Sequence, residues 1–268
     1  MYKIGWFSTG KDKAARDLLW TIWENIKEGI INKLKISFIF SNRIEGENKE
    51  SDLFFQLAKN LGIKVMSFSS QKFKIELRKK GLEEEKKGEI KLINKWRNLY
   101  DEEIEKRISK FDADLIVLAG YMLILGEKTC KKYPIINLHP AAPDGPKGTW
   151  QEVIWNLIEK RAQRTGVMMH LVTPELDAGP PLTYCTFPVR GGNFEPLWKK
   201  MEEKLKKKSL NQIKIEEGEG EPLFKEIRKE GIKRELPLIV WTLKAFSEGK
   251  IKVKAGKIIK NEAGQFRL

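Results

Sequence analysis

The chain has 268 residues, 41% hydrophobic and 33% charged, enough to fill a core and still cover a surface. That excludes a chain disordered throughout and a small scaffold dependent on disulfides, and Cys130 and Cys185 alone make neither a disulfide framework nor a cysteine-rich zinc site. An excess of 51 Lys and Arg over 37 Asp and Glu gives a formal charge of +14, which attracts anions without choosing among phosphate esters, acidic tails and nucleic acid.

In chain order, Tyr2–Phe7 reads as a buried strand and residues 14–29 as a helix. Leu34–Ser41 is a second strand, residues 51–61 a helix with Ser51 as its expected N-cap, and residues 63–67 a short strand. Residues 72–95, dense in Lys and Glu, read as a surface insertion, helical or mobile. A helix is expected over 101–111, with strands over 114–120, 134–138, 166–173 and 182–189. Polar, glycine-spaced residues 204–221 read as a linker, 222–229 and 234–248 as two helices, and 251–253 with 257–260, flanking Ala255-Gly256, as a closing hairpin.

Continuous apolar runs between helical stretches predict an α/β fold. Its sheet would be mostly parallel with helices on both faces, and ligands would bind beyond the carboxyl ends of the strands. The organisation expected is one catalytic region over 1–190, with C-terminal helices and a hairpin over 191–268 packed on it. No leader-like segment and no apolar run of about 18–20 residues is seen, so a soluble cytoplasmic protein is expected.

With only two histidines, their positions carry information. In INLHP, strand alternation places Asn137 and His139 on one face at the carboxyl edge of the sheet. A carboxamide beside an imidazole is what stabilisation of a developing oxyanion requires, although a pair that only satisfies loop backbone fits the spacing equally well. Asp177, in TPELDAGP, adds a carboxylate that would raise the pKa of a neighbouring imidazole and keep it charged at neutrality; taken alone it reads as a turn residue. His170, in VMMHLV, reads as a structural histidine in a strand. After the first strand, Ser8, Thr9, Gly10, Lys11 and Lys13 form a glycine turn into a helix, where backbone N–H groups and side-chain donors face an anion. The turn is neither GxGxxG nor GxxxxGK[ST], and an ordinary βα turn is the competing reading.

Taken in order, FIFSNR (38–43), FDADLIVLAGYMLIL (111–125), NLHP (137–140), GVMMHLVTPELDAGP (166–180) and FPV (187–189) resemble the folate-dependent formyltransferases, most of all those acting on glycinamide ribonucleotide. The resemblance implies a Rossmann-like fold, 10-formyltetrahydrofolate as co-substrate, a small phosphorylated amine as acceptor, and no metal. It implies Asn137, His139 and Asp177 as the catalytic trio, with His170 close behind the site. Tyr121, Met122, Leu123, Ile124, Leu125 and Glu175 would form the folate wall, and the turn after the first strand would bind the acceptor's phosphate.

The chain also departs from the family pattern. GKDKA (10–14) stands where a glycine–asparagine–glycine–serine–asparagine-like run is usual, and AAPD (141–144) replaces serine–leucine–leucine–proline. In the C-terminal region, Lys233 or Arg234 is expected at a helix N-terminus, where either could meet the acceptor phosphate, although surface solvation is the favoured reading of each alone. The alternatives are methionyl-tRNA or an amino sugar as acceptor, hydrolysis of the formyl folate, and a folate- or nucleotide-binding protein without catalysis. The region after Val189 lacks the alternating strands of an oligonucleotide-binding barrel, which disfavours nucleic acid. A start directly in the first strand disfavours the hydrolase, which carries a regulatory domain in front. A homodimer is compatible with the sequence.

Overall fold

The computed structural model describes residues 1–254, 256–262 and 264–265. Its strands are β1 (Tyr2–Phe7), β2 (Leu34–Ser41), β3 (Val65–Ser67), β4 (Leu115–Leu118), β5 (Ile135–His139), β6 (Arg164–Leu171), β7 (Pro181–Pro188), β8 (Ile251–Lys254), β9 (Lys257–Asn261) and β10 (Gly264–Gln265). Its helices are α1 (Lys13–Lys27), α2 (Lys49–Asn60), α3 (Ile75–Glu85), α4 (Lys91–Ile108), α5 (Glu127–Lys132), α6 (Trp150–Glu159), α7 (Glu195–Leu205), α8 (Leu210–Glu216) and α9 (Pro222–Ser247). One sheet runs in the order β10-β7-β6-β5-β4-β1-β2-β3, and β8 pairs with β9 separately. Strands β1 to β5 are parallel; β6 is antiparallel to both β5 and β7.

Alternation along the strands sends side chains to two different layers. Ile4 and Trp6 pack with Leu19 and Ile22 of α1, Phe54 of α2, and Leu238, Leu243 and Phe246 of α9. Phe7, Phe38 and Phe40 face the other way, onto Trp96, Tyr100 and Ile104 of α4. A third cluster joins Val153 of α6, Trp198 and Met201 of α7, Ile213 of α8 and Phe224 of α9. The first half of α9 thus packs among helices and its second half on the sheet.

Several expectations change. The N-cap of α2 is Asn48, whose carboxamide accepts from the N–H groups of Glu50 and Ser51; Ser51 lies one turn in and donates its hydroxyl to the Thr9 carbonyl at 3.0 Å. Residues 72–95 contribute two helices, and α4 begins ten residues earlier than the sequence reading placed it (101 against Lys91). Its buried stripe, Ile93, Trp96, Tyr100, Ile104 and Ile108, has the spacing of one helix face. Residues 204–221 are no plain linker: α8 starts at a capping box between Ser209 and Gln212. The two helices expected over 222–248 are one, α9, continuous through Gly231 and Pro237. Proline lacks an N–H, so the Lys233 carbonyl loses its intrahelical partner, while tertiary packing of Leu238, Ile239, Leu243 and Phe246 holds the helix together. Of the hairpin turn, Ala255 lies outside the described residues. Among the described residues no helix is long and apolar enough to cross a membrane.

Candidate active site

The sheet changes from parallel to antiparallel between β5 and β6, and the register there pairs Asn137 with His170. The Asn137 Nδ2 lies 3.1 Å from His170 Nε2 and donates to Asp177 Oδ1 at 3.4 Å. His139, two residues further along β5, places Nδ1 3.5 Å from Asp177 Oδ2 and Nε2 2.8 Å from the Pro146 carbonyl. Asp177 has a left-handed backbone, with φ of 47°, a conformation that Asp tolerates better than most residues. That bend turns its carboxylate inward, where Gly148 N–H donates to Oδ2 at 3.1 Å. All three ionisable side chains are buried, with 2–6% of the side-chain surface of His170, His139 and Asp177 exposed.

Hydrogen-bond chemistry fixes the ring orientations. A carbonyl only accepts, so His139 carries its proton on Nε2 for Pro146, and His170 carries one on Nδ1 for the Leu171 carbonyl, 3.0 Å away. His170 Nε2 is then left to accept from Asn137. Burial lowers the His139 pKa below its ordinary 6.5, outweighing the upward pull of Asp177 and of the bond to Pro146. The expectation of a net upward shift is therefore corrected: the carboxylate acts in the expected direction, but desolvation of a buried imidazole is larger. Burial pushes Asp177 up, yet its contacts with His170, His139 and the Gly148 N–H together bring it below the ordinary carboxylate value.

These groups form one wall of a cavity of about 310 Å³ beyond the carboxyl ends of β1, β4 and β5. Residues Tyr121 to Leu125 and Glu175 line it, as do Asn137, His139, His170, Asp177 and Lys11. Tyr121 contributes mainly from behind, its ring packed against Phe7 and Phe40. Ser8, Thr9, Gly10, Lys13 and Arg234 are not in the lining. The Thr9 hydroxyl is occupied inside the fold, donating to Asn42 at 2.7 Å and accepting from Met122 N–H at 2.9 Å; Ser8 accepts from Gly10 N–H. Arg234 is in the middle of α9, not at a helix start, and it pairs with Glu230 and stacks over Phe187. In its place α9 presents Arg228 and Glu235, which sequence reading missed. They are seven residues apart, on one face of a continuous helix, and the reading of two helices over 222–229 and 234–248 hid that spacing. Thr149 and Glu152, a capping box at the start of α6, were also missed, although the T-x-x-E signal precedes an apolar run.

The profile of the formyl transferase family matches residues 40–210, more than half of the chain. The chain belongs to that family. Within the formyltransferases it is 33% identical over 142 residues to phosphoribosylglycinamide formyltransferase of Dictyostelium discoideum, an alignment covering 49% of this chain and 62% of the relative. It is 33% identical over 101 residues to the Escherichia coli K12 protein of the same name, covering 37% of this chain and 47% of that one. This chain thus spans less than two thirds of those relatives' lengths. The structure of glycinamide ribonucleotide transformylase 1 from Symbiobacterium toebii superposes with a TM-score of 0.66 at 17% identity, over 98% of this chain and 95% of that one, a likeness of fold. The segment matched to the family holds Asn137, His139, His170 and Asp177; Lys11, Arg228 and Glu235 lie outside it.

Proposed function

We propose that this protein transfers the formyl group of 10-formyltetrahydrofolate to the amine of a small phosphorylated acceptor, glycinamide ribonucleotide, in the cytoplasm. The observation that carries the reading is the buried Asn137–His170–Asp177–His139 cluster on the wall of a cavity with an otherwise apolar flank. The flank of Met122, Leu123, Ile124, Leu125, Val172 and Leu176 suits a flat heteroaromatic ring, with backbone groups available for its polar edge. The names of the relatives support the acceptor.

In this reading the acceptor's amine attacks the formyl carbon, a C–N bond forms and the carbonyl oxygen becomes an oxyanion. His139 Nε2–H and an Asn137 amide proton donate to that oxygen. In the free protein both donors are engaged, with Pro146 and with His170 and Asp177, so binding must release them; such bonds commonly rearrange on complex formation. Asp177, ionised throughout, holds His139 and helps carry the proton from the attacking amine to the departing folate nitrogen, whose bond to the formyl carbon breaks. The test is to incubate the protein with 10-formyltetrahydrofolate, with and without glycinamide ribonucleotide. Tetrahydrofolate release that requires the acceptor is the expected result; release without it indicates a hydrolase and overturns the reading.

A further inference from the structure

Two parts of the cavity wall fall outside the segment matched to the family: the start of α1, with Lys11 and Asp12, and the face of α9 with Arg228 and Glu235. Taking the formyl-transfer reading as its basis, we propose that Arg228, assisted by Lys11, holds the phosphate of the acceptor, and that the N-terminus of α1 does not. A helix start binds anions because its first N–H groups are unpaired and its dipole end is positive. Here that place is taken by the chain itself. Asp12 is the N-cap of α1, and its Oδ1 accepts from Ala15 N–H at 3.0 Å. A phosphate seated there would meet a carboxylate. Of the side chains around it, Ser8 and Thr9 are engaged within the fold, and Lys13, which is outside the cavity lining, makes an exposed pair with Asp17 at 2.6 Å.

Arg228 is placed differently. Its side chain is 15% exposed, Nη1 donates to Glu235 Oε1 at 2.5 Å, and the guanidinium lies over the Trp150 ring at 4.6 Å. Glu235 thus fixes one arm of the fork and Trp150 fixes its plane. Among the described residues the remaining N–H groups of Arg228 have no protein acceptor, although the side chain borders the cavity. The carboxylates of the lining are already occupied: Asp12 caps α1, Glu152 accepts from Thr149, Glu175 pairs with Lys147, and Asp177 serves the histidines. Lys11 has no carboxylate partner among the described residues. A planar guanidinium, oriented in advance and with donors left over, suits two oxygens of one phosphate, and a lysine adds a point charge.

Ribose 5-phosphate is the probe, titrated calorimetrically against the full chain. Arg228→Met alone would leave Glu235 buried without its cation, so the double variant Arg228→Met/Glu235→Gln is used beside the milder Arg228→Lys. The double variant is expected to weaken ribose 5-phosphate binding by about 30-fold, the usual size of a charge-assisted pair of bonds, with Arg228→Lys between it and wild type. Lys13→Met is expected to bind as wild type does. Binding within twofold of wild type in the double variant, a loss in Lys13→Met as large as that in the double variant, or no saturable binding by wild type would each overturn the proposal. Formyl transfer is assayed separately. Protein that binds the probe through Arg228 yet formylates nothing refutes the function and leaves the anion site, whereas turnover with a KM for glycinamide ribonucleotide indifferent to Arg228 refutes the anion site alone.

Discussion

The Gly179→Ala substitution tests how the site is held, without touching any group that contacts substrate. A Cβ built at Gly179 would overlap the Leu171 carbonyl oxygen, lie 2.8 Å from its carbonyl carbon and 3.4 Å from His170 Nδ1. The obstacle is backbone, and it cannot rotate away. Leu171 N–H is also bound, at 3.0 Å, to the Pro180 carbonyl next to the substituted residue, so the two segments must separate. Overpacking of this kind costs about 1–3 kcal/mol. Displacing the Leu171 carbonyl also deprives the buried His170 Nδ1–H of its acceptor, for roughly another 1–3 kcal/mol. A total near 4 kcal/mol corresponds to a fall in Tm of roughly 10 °C for a chain of this size. His170 would then no longer anchor Asn137, and a shift of about 1 Å in that donor lowers kcat by about 100-fold. Thermal unfolding followed by circular dichroism, and tetrahydrofolate release measured well below the variant's Tm, give the two readouts. Gly220→Ala, where an added Cβ meets nothing within 4 Å, is the control and should match wild type in both. Wild-type Tm and turnover in Gly179→Ala would refute the claim that this backbone contact positions the cluster.

Asn137→Ala and His139→Ala should each lower kcat by at least about 100-fold while the Kd of a folate analogue, read by fluorescence titration, stays within about threefold. His139 should titrate by NMR below its ordinary 6.5, and Asp177→Asn should move the midpoint further down, because the carboxylate pulls it up; an upward move would contradict the arrangement. Burial raises the Asp101 carboxyl from 3.8 to about 6, so between those values the folded chain binds the proton more tightly than the unfolded chain. Its contribution to stability is present below 3.8 and is lost as pH rises through about 6. Asp101→Asn, able to keep the bond from Gly126 N–H, should therefore gain up to about 3 kcal/mol at pH 8 and nothing at pH 4, measured by denaturant unfolding.

What the sequence made legible follows from what was buried on both sides. Strands β1 and β2 were readable to the residue because two-sided burial leaves apolar runs in their carboxyl halves, Gly5-Trp6-Phe7 and Phe38-Ile39-Phe40, with Lys3 and Lys35 confined to the first halves. Helix α4 was half hidden. Its stripe of Ile93, Trp96 and Tyr100 repeats at helical spacing, but the Lys and Glu between them dominate composition. Helix α9 was divided because Gly231 and Pro237 weaken a helix locally, and only the packing of its second half on the sheet overrides that weakness. The division had a functional consequence, since Arg228 and Glu235 share a face only on an unbroken helix. Asn137 and His139 were legible as a pair through strand alternation, whereas their partnership with Asp177 depends on a left-handed bend that spacing does not reveal.

The proton inventory of the cluster limits how it can act. His170 Nδ1 is spent on Leu171 and its Nε2 receives Asn137; His139 Nε2 is spent on Pro146. Asp177 already accepts from Asn137 on one oxygen and from Gly148 on the other. Two ring nitrogens face Asp177, each 3.5 Å from a carboxylate oxygen. His139 Nδ1 has no other partner among the described residues, whereas His170 Nε2 would have to give up the bond from Asn137 to take a proton. At His139, burial disfavours the imidazolium and the Asp177 carboxylate favours it, burial being the larger. In formyl transfer the attacking amine must lose a proton as the oxyanion grows. In the proposed mechanism that proton passes, with the help of Asp177, to the departing folate nitrogen. A proton held at Nδ1 would make the imidazole a cation whose Nε2–H is the stronger donor to the oxyanion. On the proposed mechanism, Asp177 strengthens the Nε2–H donor by favouring a proton at Nδ1, against a burial that lowers the His139 pKa.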